Sequence, residues 1–473
     1  MAVLGWGVLL MLAACPADAA EVRRWIDTWD GFHTVKVFDW PPPADSEVAS
    51  WAPKFDFVWN ARRDTEWRSG NPNIVLSTYA SGLTDNGPFE LDLGWWQANH
   101  PDWILYECDR VTPVLWASYG AVVLDFTNPA VEEYQFTHYA SIAGGKDALA
   151  MDNAMLDNTL EAPGGRYGHA CGVYDTSGQW VQKFSGRGGP ASVEDPAFVD
   201  GRITFMRNIR ARLQALPQPV LSIPNLDPKV VRFDLARQAA LINSVDGILD
   251  ENGFWSTDWA AGNDFPTKLA FATALQAAGK AWYHIELAFA PVSPSFLQRA
   301  LAIYFLLKNH AAAMFVGGTS SYDDPTFWYP EYDAVAALGT PCGAYTSANN
   351  VYRREYRGGI ALVNAEATQA RTEPLPSGHR FQDLSGNAMG ASVTLSPASG
   401  LVLLSTDGPV CAAAALLGDL DGNGKLDLTD VRWSIEMLVK IRPPNLATAD
   451  LDGNGSLTLA DVQALIRLLV GVP

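Results

Sequence analysis

Short apolar runs, spaced by longer mixed segments, set the pattern of the first two-thirds of the chain. They are HTVKVFDW (33–40), FDFVWN (55–60), NIVLSTYA (73–80), DALAMDN (147–153), VLSIPN (220–225), DGILDEN (246–252), AWYHIE (281–286) and AAAMFVGG (311–318). Each has the length and composition of a strand. Several intervals between them have helical spacing; in 198–216 the apolar positions Ile203, Met206, Ile209, Leu213 and Leu216 fall on one helix face. Strands alternating with helices imply a parallel sheet. About eight such units predict an α/β protein built on a (β/α)8 TIM barrel over 21–341. A doubly wound open sheet competes with it, but no Gly-rich phosphate fingerprint follows the first strand. After Pro341 the texture changes. VYRREYRGGIALVNAE and ASVTLSPASGLVLLST alternate or run apolar between Gly and Pro, which predicts a small antiparallel β domain over 342–410.

Two of the apolar runs stop on acids. Ala148, Leu149, Ala150 and Met151 lead into Asp152 and Asn153, and VDGILDENGF (245–254) carries Asp250 and Glu251. In a (β/α)8 barrel the catalytic groups stand at the C-terminal strand ends. Side chains alternate along a strand, so Asp152 shares a side with Ala148 and Ala150, and Glu251 with Gly247 and Leu249. Small residues suit a crowded interior, so Asp152 and Glu251 are expected in the barrel mouth and Asp250 toward the helices. Two carboxylates across a cleft suit glycosidic bond hydrolysis: one protonates the leaving oxygen, the other attacks the anomeric carbon or activates water. Other strand-end groups offer substrate contacts: Asp39, Trp40, Trp59, Asn60, Tyr79, Asn225, His284 and Glu286, with Glu286 as reserve acid. Trp95, Trp96, Trp255 and Trp259 follow strands three and six and could line subsites. The competing reading of such an acid is a cap on the next helix. A lone histidine is more often a hydrogen-bonded core residue, and a lone tryptophan packing.

Composition narrows the class. The 473 residues are 48% hydrophobic and 18% charged, which describes a globular chain too long for one ordinary domain. A formal net charge of -19 argues against a nucleic-acid partner. Seventeen tryptophans suit sugar stacking but equally a large core. Residues 1–20 read as a secretory signal, with an apolar stretch from Val3 to Ala14 and Ala17-Asp18-Ala19 as the cleavage site. LAAC (12–15) also fits a lipoprotein signal with Cys15 lipidated; cleavage near Ala20 is preferred. No later stretch is long and apolar enough for a transmembrane segment. Four cysteines remain, and a secreted chain can pair them; Cys108 with Cys171 is the expected bridge.

The C-terminus holds a tandem repeat. GDLDGNGKLDLTDV (418–431) recurs as ADLDGNGSLTLADV (449–462). Asp419, Asp421, Asn423, the Lys425 carbonyl, Asp427 and Asp430 stand at the offsets of a calcium loop. Asp450, Asp452, Asn454, the Ser456 carbonyl, Thr458 and Asp461 repeat them. Hard oxygens at these positions suit Ca2+. One helix follows each loop, VRWSIEMLV and VQALIRLLV. Two such loop–helix units, over 418–473, resemble an all-α type I dockerin. That resemblance implies two structural Ca2+ ions and docking onto a cohesin module of a scaffold, through helix faces starting near Leu428-Thr429 and Leu459-Ala460.

A second resemblance covers about residues 30 to 405. GAVVLDFTNPAV (120–131), ALAMDNAMLDN, VDGILDENGF and LGTPCGAY with VYRREYRGGIALVN are similar to the glycoside-hydrolase-like family fifteen. More distantly, that family resembles endo-α-galactosaminidase-type and α-galactosidase-like barrels. The likeness implies a barrel followed by a small β-sandwich, with Asp152 as nucleophile or base on strand four and Glu251 as acid on strand six. The expectation is a secreted, dockerin-bearing glycoside hydrolase acting on polysaccharide, with no cofactor in the chemistry. Its rival is a carbohydrate-binding or pseudoenzyme subunit carried by the dockerin. An esterase or peptidase is disfavoured, because neither G-x-S-x-G nor H-E-x-x-H occurs.

Overall fold

The computed structural model describes residues 32–37, 39, 45–85, 92–116, 121–152, 158, 160–162, 165–187, 195–232, 234–251, 253–254, 264–288, 292–309, 311–318, 328–411, 418, 420, 426–442, 446–451 and 456–469. The proposed signal segment lies outside them. The chain divides into two compact units, one holding 32–300 and 307–328, the other 329–473 with 301–306.

In the first unit each predicted apolar run contains a strand: β1 (Val35–Lys36), β2 (Phe57–Val58), β3 (Val75–Ser81), β4 (Ala148–Asp152), β5 (Leu221–Ser222), β6 (Gly247–Asp250), β7 (Ala281–Leu287) and β8 (Ala312–Gly317). All pairings among them are parallel. They make a five-stranded sheet in the order β1-β2-β3-β4-β5 and a three-stranded sheet β6-β7-β8. Among the described residues the ladders do not run on from one sheet to the other. Isolated parallel bridges stand at the two seams, Asn225 with Leu249 and Thr34 with Met314.

Period-two alternation decides what these strands bury. Val35, Val37, Phe57, Trp59, Val75, Ala148, Ala150, Leu221, Ile223, Leu249, Ala281, Tyr283, Ile285, Ala313 and Phe315 form one buried cluster. Every strand contributes alternate residues to it, so the eight strands share one interior. The opposite positions pack outward, where the helices lie. Helix α1 (Pro196–Gln214) shows why. Asp195 caps it, accepting from the Phe198 amide, and Pro196 occupies its first turn. It buries Ile203, Met206, Ile209 and Leu213; Leu216 lies past its end. Burying four such side chains contributes on the order of 6–12 kcal/mol of transfer free energy. Arg202, on the same helix, is also buried, with its guanidinium over the rings of Phe126 (4.8 Å) and Phe205 (5.2 Å).

The chain leaves the sheet for long excursions after β3 and β4. The first holds a helix, Leu93–Asn99, and the short antiparallel pair Leu115–Trp116 and Ala121–Val122. The second holds the hairpin Gly172–Tyr174 and Trp180–Gln182. They pair through Tyr106, whose amide donates to the Gly172 carbonyl (2.9 Å) and whose carbonyl accepts from the Cys171 amide (2.8 Å). A disulfide joins Cys108 to Cys171, the expected bridge, and a second joins Cys342 to Cys411.

The second unit begins before the predicted boundary. Residues 329–341 group with it because the Arg357 and Gly358 amides donate to the carbonyls of Thr340 (2.9 Å) and Leu338 (2.8 Å). Its antiparallel strands are β9 (Thr346–Ala348), β10 (Val351–Tyr356), β11 (Gly359–Asn364), β12 (Arg371–Pro374), β13 (Phe381–Asp383), β14 (Ser392–Leu395) and β15 (Ser399–Ser405). They form a five-stranded sheet β9-β10-β11-β15-β13 and a two-stranded sheet β12-β14. Val351, Ile360, Leu362, Phe381 and Leu403 of the first meet Val393 and Leu395 of the second in one core. Buried Asn364 ties the sheets together, its side-chain amide donating to the carbonyls of Gln369 (2.9 Å) and Ser396 (2.9 Å).

The repeats supply helices Leu428–Leu438 and Leu459–Leu469, close to the two predicted. Asp427 caps the first, its side chain accepting from the Thr429 amide. Leu420, Met437 and Ala449 form the small core beneath.

Candidate active site

Strands β4, β5 and β6 bring the candidate residues together. Parallel register sets Ser81 beside Asp152. The Asn225 amide donates to the Met151 carbonyl (2.7 Å), which places Asn225 level with the end of β4. The Leu249 amide donates to the Pro224 carbonyl (3.0 Å), and the Asn225 side-chain amide donates to Glu251 Oε2 (3.0 Å). Asn225 is therefore tied to β4 by its backbone and to Glu251 by its side chain. Glu251 and Asn225 are both half-buried. The Asp152 side chain lies outside what the structure describes, as do Trp40, Asn153, Trp255 and Trp259. Tyr79 is half-buried against the same interior, its ring 6.2 Å from that of Trp59. Lower down, Tyr283 stacks on Phe57 at 4.4 Å, and burial pushes its hydroxyl pKa up.

The turn bearing Glu251 is gripped from the helix side. Asp250 points there, as alternation predicts, and meets Lys268 Nζ at 2.5 Å with both side chains fully buried. Lys268 comes from helix α2 (Asp264–Ala277) and also donates to the Gly253 carbonyl. The Phe254 amide donates to Glu286 Oε1 (2.8 Å), and Arg299 Nη2, from helix α3 (Pro294–Leu307), donates to the Phe254 carbonyl (3.1 Å). Gly253 has φ +43°, and a Cβ there would stand 2.6 Å from the Ile285 carbonyl oxygen and 2.8 Å from Glu286 Oε1. Only glycine fits. Burial pushes the Asp250 carboxyl up to about 7 against the pull of Lys268. Burial also raises Glu286, with Arg299 opposing. His284 accepts from Trp282 Nε1 at Nδ1 (2.8 Å); burial, then Lys268, hold its pKa down at about 3, so the ring is neutral.

Several expected substrate contacts stand elsewhere. His284 and Glu286 occupy the outward positions of β7, alternating with Ala281, Tyr283 and Ile285, and serve the helix side. Asp39 is buried beneath Arg63: the Arg62 amide (3.0 Å), Trp67 Nε1 (3.1 Å) and the Arg63 guanidinium all donate to it. Burial would raise its carboxyl, but the Arg63 guanidinium, the Arg62 amide and the Trp67 indole outweigh that and hold it below the usual range. Trp96 is fully buried and donates to Asp85 Oδ2 (3.1 Å); it is core, not a subsite. Burial raises Asp85 to about 6 despite that bond. Trp59 belongs to the interior cluster, and Asn60 lies in the turn after β2, its carbonyl accepting from the Asp39 amide. Trp95, at 38% exposed, keeps a face for solvent.

Lys268 and Arg299 were not singled out in the sequence. The signal for Lys268 was its place in an apolar helix face, between Phe265, Leu269 and Ala272, where a charge must find a buried partner.

In the C-terminal repeats, Asp419, Asp421, Asn423, Lys425, Asp452 and Asn454 lie outside the described residues. The last acid of each loop is described, and both are buried. Asp430 accepts from the amides of Leu420 (2.7 Å) and Asp427 (2.8 Å). Asp461 accepts from those of Leu451 (2.8 Å) and Thr458 (2.7 Å). The two loops thus close through the same bonds at equivalent positions. Asp450 and Ser456 of the second loop are among the described residues. Among the described residues no group of three or more His, Cys, Asp or Glu side chains gathers as a metal site. Leu428 and Ile435 are exposed on one helix, and their repeat equivalents Leu459 and Ile466 on the other.

No family model matches the chain, and no curated protein matches it. Among solved structures it is similar to a GH27 β-L-arabinopyranosidase from Geobacillus stearothermophilus, at 10% identity over 82% of this chain and 98% of that one, with a TM-score of 0.44. It is similar to an α-amylase from Lactobacillus plantarum, at 9% identity over 79% and 98%, TM-score 0.44. A GH36 α-galactosidase from Geobacillus stearothermophilus gives 12% identity over 81% of this chain and 57% of that one, TM-score 0.41. With every one of these scores below 0.5, the functional reading rests on the site itself. Among the described residues no helix is long and apolar enough to cross a membrane.

Proposed function

We propose that this chain is a glycoside hydrolase built on a (β/α)8 barrel, with Glu251 as general acid or acid/base and Asp152 as nucleophile or general base. The observation that carries the reading is Asn225. Its backbone is bonded to the end of β4 and its side chain to Glu251, so the ends of three successive strands, with an acid on each outer one, share one place. Strands lie about 4.8 Å apart, so acids on the first and third of three neighbours start roughly 10 Å apart at the backbone, and their side chains can close to glycosidase spacing. Glu251 gives its proton to the glycosidic oxygen as the bond to the anomeric carbon breaks. Asp152 either bonds that carbon or takes a proton from the water that does, and the substrate is polysaccharide.

The same reading extends to the rest of the chain: a small β-sandwich after the barrel, then a dockerin holding two Ca2+ ions. Equivalent closure of the two loops by Asp430 and Asp461 supports the dockerin, and carboxylate, amide and carbonyl oxygens are the donors Ca2+ takes. The equivalent exposed pairs Leu428/Leu459 and Ile435/Ile466 suit a cohesin partner. Two disulfides suit secretion.

The test is release of reducing ends from a panel of polysaccharides. Glu251→Gln and Asp152→Asn should each lower kcat by at least ~100-fold. Turnover that survives both changes would refute the assignment. Polysaccharide binding with no turnover in the native chain would favour a carbohydrate-binding subunit.

A further inference from the structure

We infer that Lys268, together with Glu286 and Arg299, positions Glu251 by clamping the turn 250–254 from behind the sheet. The inference rests on Glu251 being the acid of the proposed hydrolase. Every described residue around Glu251 in this turn is held by a group on another element. The Asp250 carboxylate meets Lys268, the Gly253 carbonyl accepts from Lys268, and the Phe254 amide and carbonyl are bonded to Glu286 and Arg299. The clamp draws on α2, β7 and α3, so three elements fix one turn. Gly253 is pressed so closely to β7 that it has no room for a Cβ. None of the three clamping groups lies on the interior side with Leu249 and Ile285, so they act through the backbone and not on substrate.

A turn without secondary structure would ordinarily be among the softest parts of a fold. A catalytic acid needs its carboxyl held to within a fraction of an ångström, and a 1 Å displacement can cost about 100-fold in rate. Burying two cations and two carboxylates is costly unless each is paired. A simpler apolar packing would stabilise the barrel as well, so placement of Glu251 is what the pairing supplies.

The experiment compares the native full chain with Lys268→Met, and with the double variant Lys268→Met/Asp250→Leu. The double variant removes both buried charges at similar volume and should fold even where the single one does not. Hydrogen exchange is read at residues 250–254 with 148–152 as internal reference. Turnover is read on whichever polysaccharide the native chain hydrolyses. The expected result is at least ~10-fold faster exchange at 250–254, an unchanged reference, and kcat lowered about 10- to 100-fold with KM within about twofold. Unchanged exchange, or unchanged kcat in a variant whose turn has loosened, would overturn the inference. If exchange quickens but Glu251→Gln does not affect turnover, Glu251 is not the acid. That result would overturn the catalytic half of the inference and the functional reading with it, and leave the clamp standing.

Discussion

His284 gives a prediction that needs no substrate. Its imidazole is fully buried on the outward side of β7, accepts from Trp282 Nε1, and has its pKa held down at about 3 from the usual 6.5. The unfolded chain binds a proton below pH 6.5 that the folded chain refuses until about pH 3. Stability therefore falls as pH drops through that window and is fully present above it. At pH 5 the cost, set by 1.5 pH units below the unfolded value, is about 2 kcal/mol; at pH 7 it is only ~0.2 kcal/mol. Asp85, Asp250 and Glu286 work the other way, because burial raises their pKa values and acid relieves them. The His284 contribution must accordingly be read as a difference. His284→Gln keeps an acceptor for Trp282 without the titration. For a unit of roughly 300 residues, 2 kcal/mol is about 3 °C in Tm. Calorimetry from pH 7 to pH 5 should show the native protein losing about 3 °C more than the variant. Parallel pH curves for the two proteins would refute the reasoning.

Three further outcomes follow from the same geometry. Asn225→Ala removes the bond to Glu251 and should lower kcat about 10- to 100-fold, the scale of a hydrogen bond to a charged group; a kcat within twofold of native would show that Asn225 has no part in placing the acid. Trp96→Phe strips a donor from buried Asp85 and should lower stability by about 1–3 kcal/mol with KM unchanged; a raised KM at native Tm would return Trp96 to the substrate. Chelation of calcium should lower the melting temperature of the 418–473 repeats and leave the transition of the N-terminal α/β unit in place, read by calorimetry with and without EGTA; an unchanged C-terminal transition would count against Ca2+ in the loops.

The strands were legible because each apolar run is short and bounded by polar turns, and a buried parallel strand has few other ways to be written. The parity of Asp250 against Glu251 was legible for the same reason: Leu249 fixes which side is in. The same rule applied to AWYHIE would have sent His284 and Glu286 outward, since Ala281, Tyr283 and Ile285 are the interior set. Position near a strand end outweighed parity there, and it misled. Asp39 and Trp96 failed differently. Their partners, Arg63 and Asp85, are brought to them by tertiary packing that no local pattern encodes. The excursions after β3 and β4 stayed unread because they lack a period of either kind. The 108–171 disulfide is the one part of them that cysteine arithmetic could reach.

That disulfide has a consequence for handling the protein. It joins two excursions that leave neighbouring strands, and it encloses everything between residues 108 and 171, including β4. A protease that cuts an exposed site in this stretch produces two polypeptides that remain one molecule. On a gel without reductant the nicked chain should run at full length, and with reductant as two bands. Backbone breakage at the mouth of the sheet would therefore pass unseen in a purification monitored under oxidising conditions alone.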